Sequence, residues 1–357
     1  MKEIWCVIGT RPEVIKMAPV IHALKDKAKV KLIATAQHRE LLDQMLGVFD
    51  LELNDDLNLM TNGQTLTRIT CKVLKGMGYL FKQYGKPNYV LIQGDTTTVM
   101  ATALACYYEN VKVGHVEAGL RSGNMRAPFP EEGNRKIAGI FAYYHFAPTE
   151  WAANNLRKEG ILESRIFVTG NTVVDALYYT LKNNALHLKT KKPDRPYILM
   201  TCHRRENFGR PVRNIFSAIR QIAEMHPEID IVYPVHPNPN IVKPAQEILG
   251  NLANVKLLKP LDYVNFVNAM QECLFLISDS GGVQEEATAL GKRVLVLRTT
   301  TERPEAVDAG FCKLVGSDIE LIIKVALTCI TNSTIKVKSL YGDGQAATRI
   351  ADILMGS

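Results

Sequence analysis

Short apolar runs rich in β-branched residues recur along this chain, each closed by a polar or glycine-bearing turn and followed by a stretch of helical character. Ile4–Ile8, Lys31–Ala34, Tyr89–Gln93 and Val111–Val116 read as strands buried on both faces, because a parallel strand covered by helices on either side shows no polar face. Pro19–Lys27 and Arg39–Phe49 read as helices between them. The series closes over Gly160–Asn171, and Asp175–Asn184 looks helical. After a polar, proline-containing linker at Lys189–Arg195 the rhythm restarts with Tyr197–Thr201, Asp230–Pro234, Val255–Leu258, Leu274–Ser278 and Arg293–Leu297. Such alternation builds a doubly wound parallel sheet. Its restart in a chain of 357 residues predicts an α/β fold of two Rossmann-like domains facing a cleft, over 1–170 and 171–344. A last helix, roughly Gln345–Met355, is free by its pattern to pack on either domain.

Composition narrows the function classes. Hydrophobic residues make up 46% and charged residues 22% of the chain, ordinary for a globular protein with a core. No apolar run reaches the about 18 residues of a membrane span. Met1-Lys2-Glu3 leads into only five apolar residues before Gly9, so no signal peptide reads there and the cytoplasm is the expected compartment. The seven cysteines are scattered without CxxC spacing, which suits free thiols in a reducing compartment better than disulfides or a zinc site. The net charge of +7 comes without a long basic tract interleaved with aromatics, which argues against nucleic acid and suits a phosphate-bearing small substrate.

In open α/β sheets ligands bind at strand C-terminal ends, and there the chain concentrates its chemistry. Gly9-Thr10-Arg11-Pro12-Glu13 follows the first strand and opens a helix, where Arg11 would stand beside a phosphate site; a capping turn with a solvated Arg is the alternative. Gln93-Gly94-Asp95-Thr96-Thr97-Thr98 ends another strand, with Asp95 either a cap or a working acid. Glu117, in His115-Val116-Glu117-Ala118-Gly119-Leu120-Arg121, sits at the mouth of a parallel sheet, where a carboxylate is unusual unless paired or used; Arg121 is the candidate partner. Pro130-Glu131-Glu132 puts two acids at a helix start, which helix-dipole decoration would also explain. Cys202-His203-Arg204-Arg205-Glu206-Asn207 clusters cations at a strand end, and His236 follows the next strand. Ser278-Asp279-Ser280-Gly281-Gly282 is the most informative turn. Its glycines would present backbone N–H groups to a phosphate. Glu286 then lies in the following helix, within reach of ribose hydroxyls. Thr300-Thr301-Glu302-Arg303-Pro304-Glu305 adds Arg303 to the same rim.

No P-loop, HExxH or zinc spacing occurs. Gly342-Asp343-Gly344-Gln345-Ala346-Ala347 fits a dinucleotide fingerprint as text, but no strand delivers it and no acid follows at the required distance. It reads as a turn into the last helix, so no nicotinamide cofactor and no metal are expected.

Together GTRPE, QGDTTT, HVEAGLR, PEExNR, HRREN, SDSGGxQEEA and TTERPEA, in this order from Gly9 to Gly310, resemble the non-hydrolysing UDP-N-acetylglucosamine 2-epimerases. Tyr341-Gly342-Asp343-Gly344 also looks family-like, so the resemblance spans essentially the whole chain. It implies the glycosyltransferase-B architecture, the last helix (about 345–357) returning to the first domain, a homodimer, and supply of N-acetylmannosamine for cell-surface polysaccharide. It implies Asp95, Glu117, Glu131 and His203 as the catalytic set. Arg11, Lys16, His203, Ser280, Gly281, Gly282 and Arg303 should hold the diphosphate and neighbouring groups, Glu286 the ribose, and Phe266 with the backbone around Leu261 the uracil. In bacterial members a second UDP-N-acetylglucosamine acts as activator, and Gln37, His38, Gln64, Glu131, Arg204 and His236 match that pocket. Ala36, Gly63, Thr299 and Phe311-Cys312 depart from the common pattern, Gly63 replacing an effector-pocket Arg of some members.

The implied route is elimination of UDP to 2-acetamidoglucal and re-addition on the other face. It makes chemical sense, because the carbon 2 hydrogen is not adjacent to a carbonyl and direct removal would be very slow. Elimination needs a base, an acid or base on the opposite face, and preorganised positive charge on the leaving diphosphate. A hydrolysing relative, an epimerase of a modified UDP-N-acetyl sugar, a glycosyltransferase of similar fold and an inactive nucleotide-sugar sensor are the competing readings.

Overall fold

The structure is a computed structural model and describes residues 1–35, 39–59, 63–184, 194–332 and 340–356. The chain divides into two compact units, Met1–Tyr179 with Tyr341–Ser357, and Thr180–Leu340. The division falls inside the helix Thr172–Asn184.

The first unit is built on β1 (Glu3–Ile8), β2 (Lys29–Ala34), β3 (Asp55–Asp56), β4 (Tyr89–Gln93), β5 (Lys112–Val116), β6 (Tyr144–Ala147) and β7 (Ile166–Val168). Their order in the sheet is β3-β2-β1-β4-β5-β6-β7, all pairings parallel. The second unit contains β8 (Tyr197–Thr201), β9 (Asp230–Pro234), β10 (Val255–Leu258), β11 (Leu276–Ser278), β12 (Val294–Val296) and β13 (Cys312–Leu314), ordered β10-β9-β8-β11-β12-β13 and again parallel. Both sheets therefore share the Rossmann plan, and the fold class expected from the alternation, two Rossmann-like α/β units of the glycosyltransferase-B class, is the one observed. In each sheet the order reverses once, between β1 and β4 and between β8 and β11. These are the topological switch points at which such sheets bind ligands.

Strands buried on both faces came through with little change of bounds, and Tyr89–Gln93, Tyr197–Thr201, Asp230–Pro234 and Val255–Leu258 coincide with the expectation. Four strands were not anticipated: β3, β6, β7 and β13 have two to four residues, and the equally short β10, β11 and β12 were found only as parts of apolar runs of four or five residues. The helix expected to open at Gly9–Glu13 and the helical segment expected from Pro19 are one helix, Arg11–Leu24, with Pro19 inside it. Pro12 in its first turn and a Thr10-x-x-Glu13 box mark the true start.

Cores form where the two periods agree. The helix Arg210–Met225 buries Val212, Ile215, Phe216, Ile219, Ile222 and Ala223, an i, i+3/i+4 stripe. It covers Ile198, Met200, Ile231 and Tyr233 of the second sheet. Each such large side chain contributes roughly 1.5–3 kcal/mol on burial. Trp5, Val7, Ile33, Val90 and Ile92 play the sheet part in the first unit, against Val73, Met77 and Val99.

The last helix, Ala346–Gly356, belongs to the first unit and packs on Arg11–Leu24. Lys2 Nζ donates to Leu354 O at 2.9 Å, and Asp175 Oδ1 accepts from Ala347 N at 2.8 Å. Burial pushes the Asp175 carboxyl up to about 6. All seven cysteines are free, and Cys71 alone is exposed. Among the described residues no helix is long and apolar enough to cross a membrane.

Candidate functional site

At the first switch point the turn after β1 is closed from within. Glu13, 2% exposed, accepts from Thr10 N at 3.0 Å and from Gly9 N, while its other oxygen accepts from Thr96 Oγ1 at 2.6 Å. One carboxylate thus ties the β1 turn to the β4 turn. Burial, with the Asp95 charge adding to it, pushes the Glu13 carboxyl up to about 7 against the pull of its three donors. Arg11 lies at the start of the same helix and is exposed.

β4 and β5 are neighbours, with Gln93 opposite Val116, so Asp95 and Glu117 leave adjacent strand ends. Glu117 is 7% exposed and holds φ +64, the left-handed region that a non-glycine residue occupies only when its surroundings demand it. Lys16 Nζ stands 2.7 and 2.6 Å from its two oxygens. Gln93 Nε2 donates to Oε2 and Asn171 Nδ2 to Oε1, the latter at 3.0 Å. Arg121, the partner considered from sequence, instead grips Glu159 through Nε and Nη2 at 2.8 and 2.7 Å. His115 Nε2 lies 2.8 Å from Gly94 O, and burial pushes this imidazole down to about 4, so it stays neutral.

Asp95 receives Arg135 through Nε and Nη2 at 2.9 and 2.7 Å, and its backbone carbonyl accepts from Asn134. Arg135 Nη1 also reaches Glu132 at 3.0 Å. Glu132 is fully buried and accepts from Ser122 N and Gly123 N. The paired acids at this helix start therefore differ. Glu132 is a structural plug, whereas Glu131 is half-buried, with Oε2 buried and without a hydrogen-bond partner among the described residues. A carboxylate oxygen left in that state awaits a donor.

The second switch point uses another acid in the same way. Asp279 follows β11 and is fully buried. Its Oδ2 accepts from His203 N, Arg204 N and Asn207 Nδ2 at 2.9, 2.9 and 3.0 Å, and His203 Nδ1 lies 3.1 Å from Oδ1. Burial alone would raise this carboxyl; the His203 ring and the backbone donors overcome it and hold the group at about 2. Arg204 Nε donates to Asp279 O at 2.8 Å. His203 and His236 are both exposed, with ring centroids 6.0 Å apart and planes 26° from parallel.

Ser278 stands opposite Thr201 in the sheet, which sets Ser280 beside His203 at adjacent strand ends. The helix Gly281–Ala289 starts at Ser280, whose side chain makes no cap. Its first N–H groups are left for an external acceptor or water. Arg303 packs against this turn. A Cβ on Gly281 would come within 2.6 Å of Arg303 Nη1, so only glycine admits the guanidinium, whereas a Cβ on Gly282 would meet nothing within 4 Å. Arg303 is itself held by Glu285 at 2.6 Å and Glu302 at 2.7 Å. Arg298 meets the other Glu302 oxygen at 2.9 Å. Glu286, 6% exposed, accepts from Tyr263 OH at 3.0 Å, one turn from half-buried Phe266. Leu261 lines a cavity of about 250 Å³ with Tyr197, Asp230 and Leu258.

Within the first unit Lys16 and Glu117 meet, and within the second His203, Arg204, Ser280, Gly281 and Arg303 gather around Asp279 and Glu302. Gln64 accepts from Lys72 at 3.4 Å. Gln37 and His38 lie outside the described residues. Glu13, Gln93, Asn171, Arg135, Asp279 and Tyr263 were not among the anticipated site residues. The Thr10-x-x-Glu13 box carried a signal for the first of them, and a polar Gln93 closing an apolar strand was a second. Asn171 had none. Among the described residues no three His, Cys, Asp or Glu side chains are grouped as a metal ion would need.

Comparison with known proteins agrees along the whole chain. The profile of a family described as UDP-N-acetylglucosamine 2-epimerase matches residues 22–355. The UDP-N-acetylglucosamine 2-epimerase of Escherichia coli O157:H7 is 48% identical over 365 residues, covering 98% of this chain and 97% of that protein. The crystal structure of UDP-GlcNAc 2-epimerase from Neisseria meningitidis bound to UDP-GlcNAc superposes with a TM-score of 0.94 at 42% identity, covering 99% of this chain and 100% of that one. That of the Methanocaldococcus jannaschii UDP-GlcNAc 2-epimerase in complex with UDP-GlcNAc and UDP does so with a TM-score of 0.87 at 34% identity, covering 99% and 100%.

Proposed function

The chain belongs to the UDP-N-acetylglucosamine 2-epimerase family, and from that premise we propose that it interconverts UDP-N-acetylglucosamine and UDP-N-acetylmannosamine without hydrolysis. A carboxylate of the first unit removes the carbon 2 proton. The electrons of that C–H bond form the carbon 1–carbon 2 double bond of 2-acetamidoglucal as the bond from carbon 1 to the diphosphate oxygen breaks, and UDP leaves with its electron pair. A proton then returns to the opposite face of carbon 2 while the diphosphate oxygen re-forms its bond to carbon 1.

The second unit supplies the charge side of this chemistry. The uncapped Ser280-Gly281-Gly282 helix start and the His203 ring hold the diphosphate, and Glu286 takes the ribose. Arg303 acts from behind the turn, since two carboxylates already hold its guanidinium. In the first unit Glu117, Asp95 and Glu131 share the proton work, with Lys16 and Arg11 adding positive charge. The observation that carries this reading is the end of β5, where a buried carboxylate in a left-handed backbone is gripped by Lys16, Gln93 and Asn171. So costly an arrangement of an acid at a sheet mouth marks function rather than folding.

The proposal extends to a cytoplasmic homodimer supplying N-acetylmannosamine for cell-surface polysaccharide. It also extends to a second UDP-N-acetylglucosamine acting as activator through Gln37, His38, Gln64, Arg204 and His236. Light scattering and a sigmoidal dependence of rate on substrate test those two parts. The central test is a proton NMR time course with UDP-N-acetylglucosamine in deuterated buffer. The expected result is growth of UDP-N-acetylmannosamine signals with deuterium entering carbon 2. Free N-acetylmannosamine rising in step with UDP would overturn it in favour of hydrolysis.

A further inference from the structure

Tyr341-Gly342-Asp343-Gly344 has no part in the reaction as described, although it is where the chain re-enters the first unit. It docks on Gly170-Asn171, just ahead of the helix Thr172–Asn184 along which the chain leaves that unit. Asn171 N donates to Tyr341 O at 2.6 Å. Gly170 and Gly342 meet back to back, at φ +91 and +124, and a Cβ on Gly342 would stand 3.2 Å from Gly170 Cα. Neither position admits a side chain without moving the other strand of the contact.

Asn171 is 1% exposed. Its Oδ1 accepts from Val173 N at 3.1 Å and caps the outgoing helix, and its Nδ2 donates to Glu117 Oε1 at 3.0 Å. Lys16 neutralises Glu117, but an ammonium on a flexible stem is a point charge that meets both oxygens about equally and sets no preferred carboxylate plane. Two amides are directional donors, Gln93 on Oε2 and Asn171 on Oε1. We propose that Asn171 is a positioning residue that fixes the plane of the Glu117 carboxylate, and that the Tyr341-Gly342 turn sets Asn171, so that the segment by which the chain returns to the first unit belongs to the proton-transfer machinery. This role presupposes the catalytic role proposed for Glu117.

The test compares Asn171→Ser, Asn171→Ala, Gly342→Ala and Glu117→Gln in the full-length chain by steady-state kinetics, deuterium entry at carbon 2, UDP affinity and thermal unfolding. Serine keeps a capping oxygen but is too short to reach Glu117. The expected result for N171S is a melting temperature near wild type, unchanged KM and UDP affinity, and kcat lower by about 10- to 100-fold, the scale of a misplaced catalytic group. N171A should match it in kcat and melt earlier. G342A, which displaces the turn against Gly170 and the Asn171 backbone while leaving the Asn171 and Glu117 side chains chemically unaltered, should also lower kcat at unchanged UDP affinity. Wild-type kcat in N171S, or a loss shared equally by UDP binding and folded fraction, would overturn the role of Asn171 while an inactive E117Q leaves the function standing. Full deuterium entry in E117Q would overturn both.

Discussion

In the first unit the turn after β1 is closed by Glu13, and in the second the turn after β8 is closed by Asp279. Each carboxylate accepts from two successive backbone N–H groups at a switch point, where a nucleotide-binding Rossmann turn would place a phosphate. They come from different places: Glu13 from the third position of the following helix, Asp279 from the neighbouring strand end. Their surroundings drive them in opposite directions. Each has three donors, but Glu13 is buried beside the Asp95 charge and is pushed up to about 7, whereas Asp279 has the His203 ring beside it and is held at about 2. The helices opened by the other switch-point strand differ as well. Thr96 caps the one after β4 with its side chain, and Ser280 leaves the one after β11 uncapped beside two glycines. One unit has closed both turns, with the Glu13 carboxylate and the Thr96 hydroxyl, and the other has closed one with Asp279 and left the second uncapped. The same fold plan therefore yields a half whose turns are both closed from within and a half with an uncapped helix start.

That contrast can be broken most decisively at Glu117. Replacing it by Gln should lower deuterium entry at carbon 2 by about 10²- to 10⁴-fold, the range of a lost general acid or base, with UDP affinity unchanged; a parallel fall in UDP affinity would erase the division of labour. Next in size is Arg303→Ala. It strips the cation from fully buried Glu285 and from Glu302, and removing one side of a buried pair costs about 3–5 kcal/mol. Denaturant unfolding should show that loss together with weaker UDP binding, and unaltered stability would mean the pair contributes nothing.

The two turn acids supply a sharper pair of tests because their pH dependences have opposite sign. The folded state binds the Glu13 proton more tightly than the unfolded chain, whose carboxyl titrates near 4.5, so this group's contribution to stability is full below about 4.5 and declines as pH rises through 7. Relative to Glu13→Gln, wild type should lose up to about 3 kcal/mol between pH 4.5 and 7.5, read from urea unfolding at a series of pH values; a flat difference would mean that the donors keep Glu13 ionised throughout. Asp279 behaves conversely. Its folded value of about 2 lies below the ordinary 3.8, so its contribution is present above pH 4 and is lost as pH falls through 2. Asp279→Asn should therefore cost about 2 kcal/mol at neutral pH, and this smaller effect should shrink on acidification.

Much of this was legible in the chain. The strand–helix rhythm placed the buried strands, because a parallel strand covered on both faces needs a continuous apolar run whatever its partner. Turn chemistry located Asp95, Glu117 and Ser280-Gly281-Gly282 at strand ends. Of the short strands, β10, β11 and β12 were found as apolar runs, whereas β3, β6, β7 and β13 were missed, since two to four residues carry no period of their own. Arg303 was anticipated at an anion rim, yet its nearest anions are the protein's own Glu285 and Glu302. Arg121 seemed the natural partner of Glu117, four residues away, but the left-handed turn at Glu117 sends the two side chains to different partners, Lys16 and Glu159.

What the sequence by itself determined, then, was set by neighbours a few residues apart: the periods of the longer elements, the glycine turns at strand ends and the order of the motifs. Only the tertiary structure decided which charge meets which. Lys16 reaches Glu117 across 101 residues, and Asn171 reaches Tyr341 across the whole second unit. Such meetings follow from strand order and register, and a single local sequence is compatible with many of those.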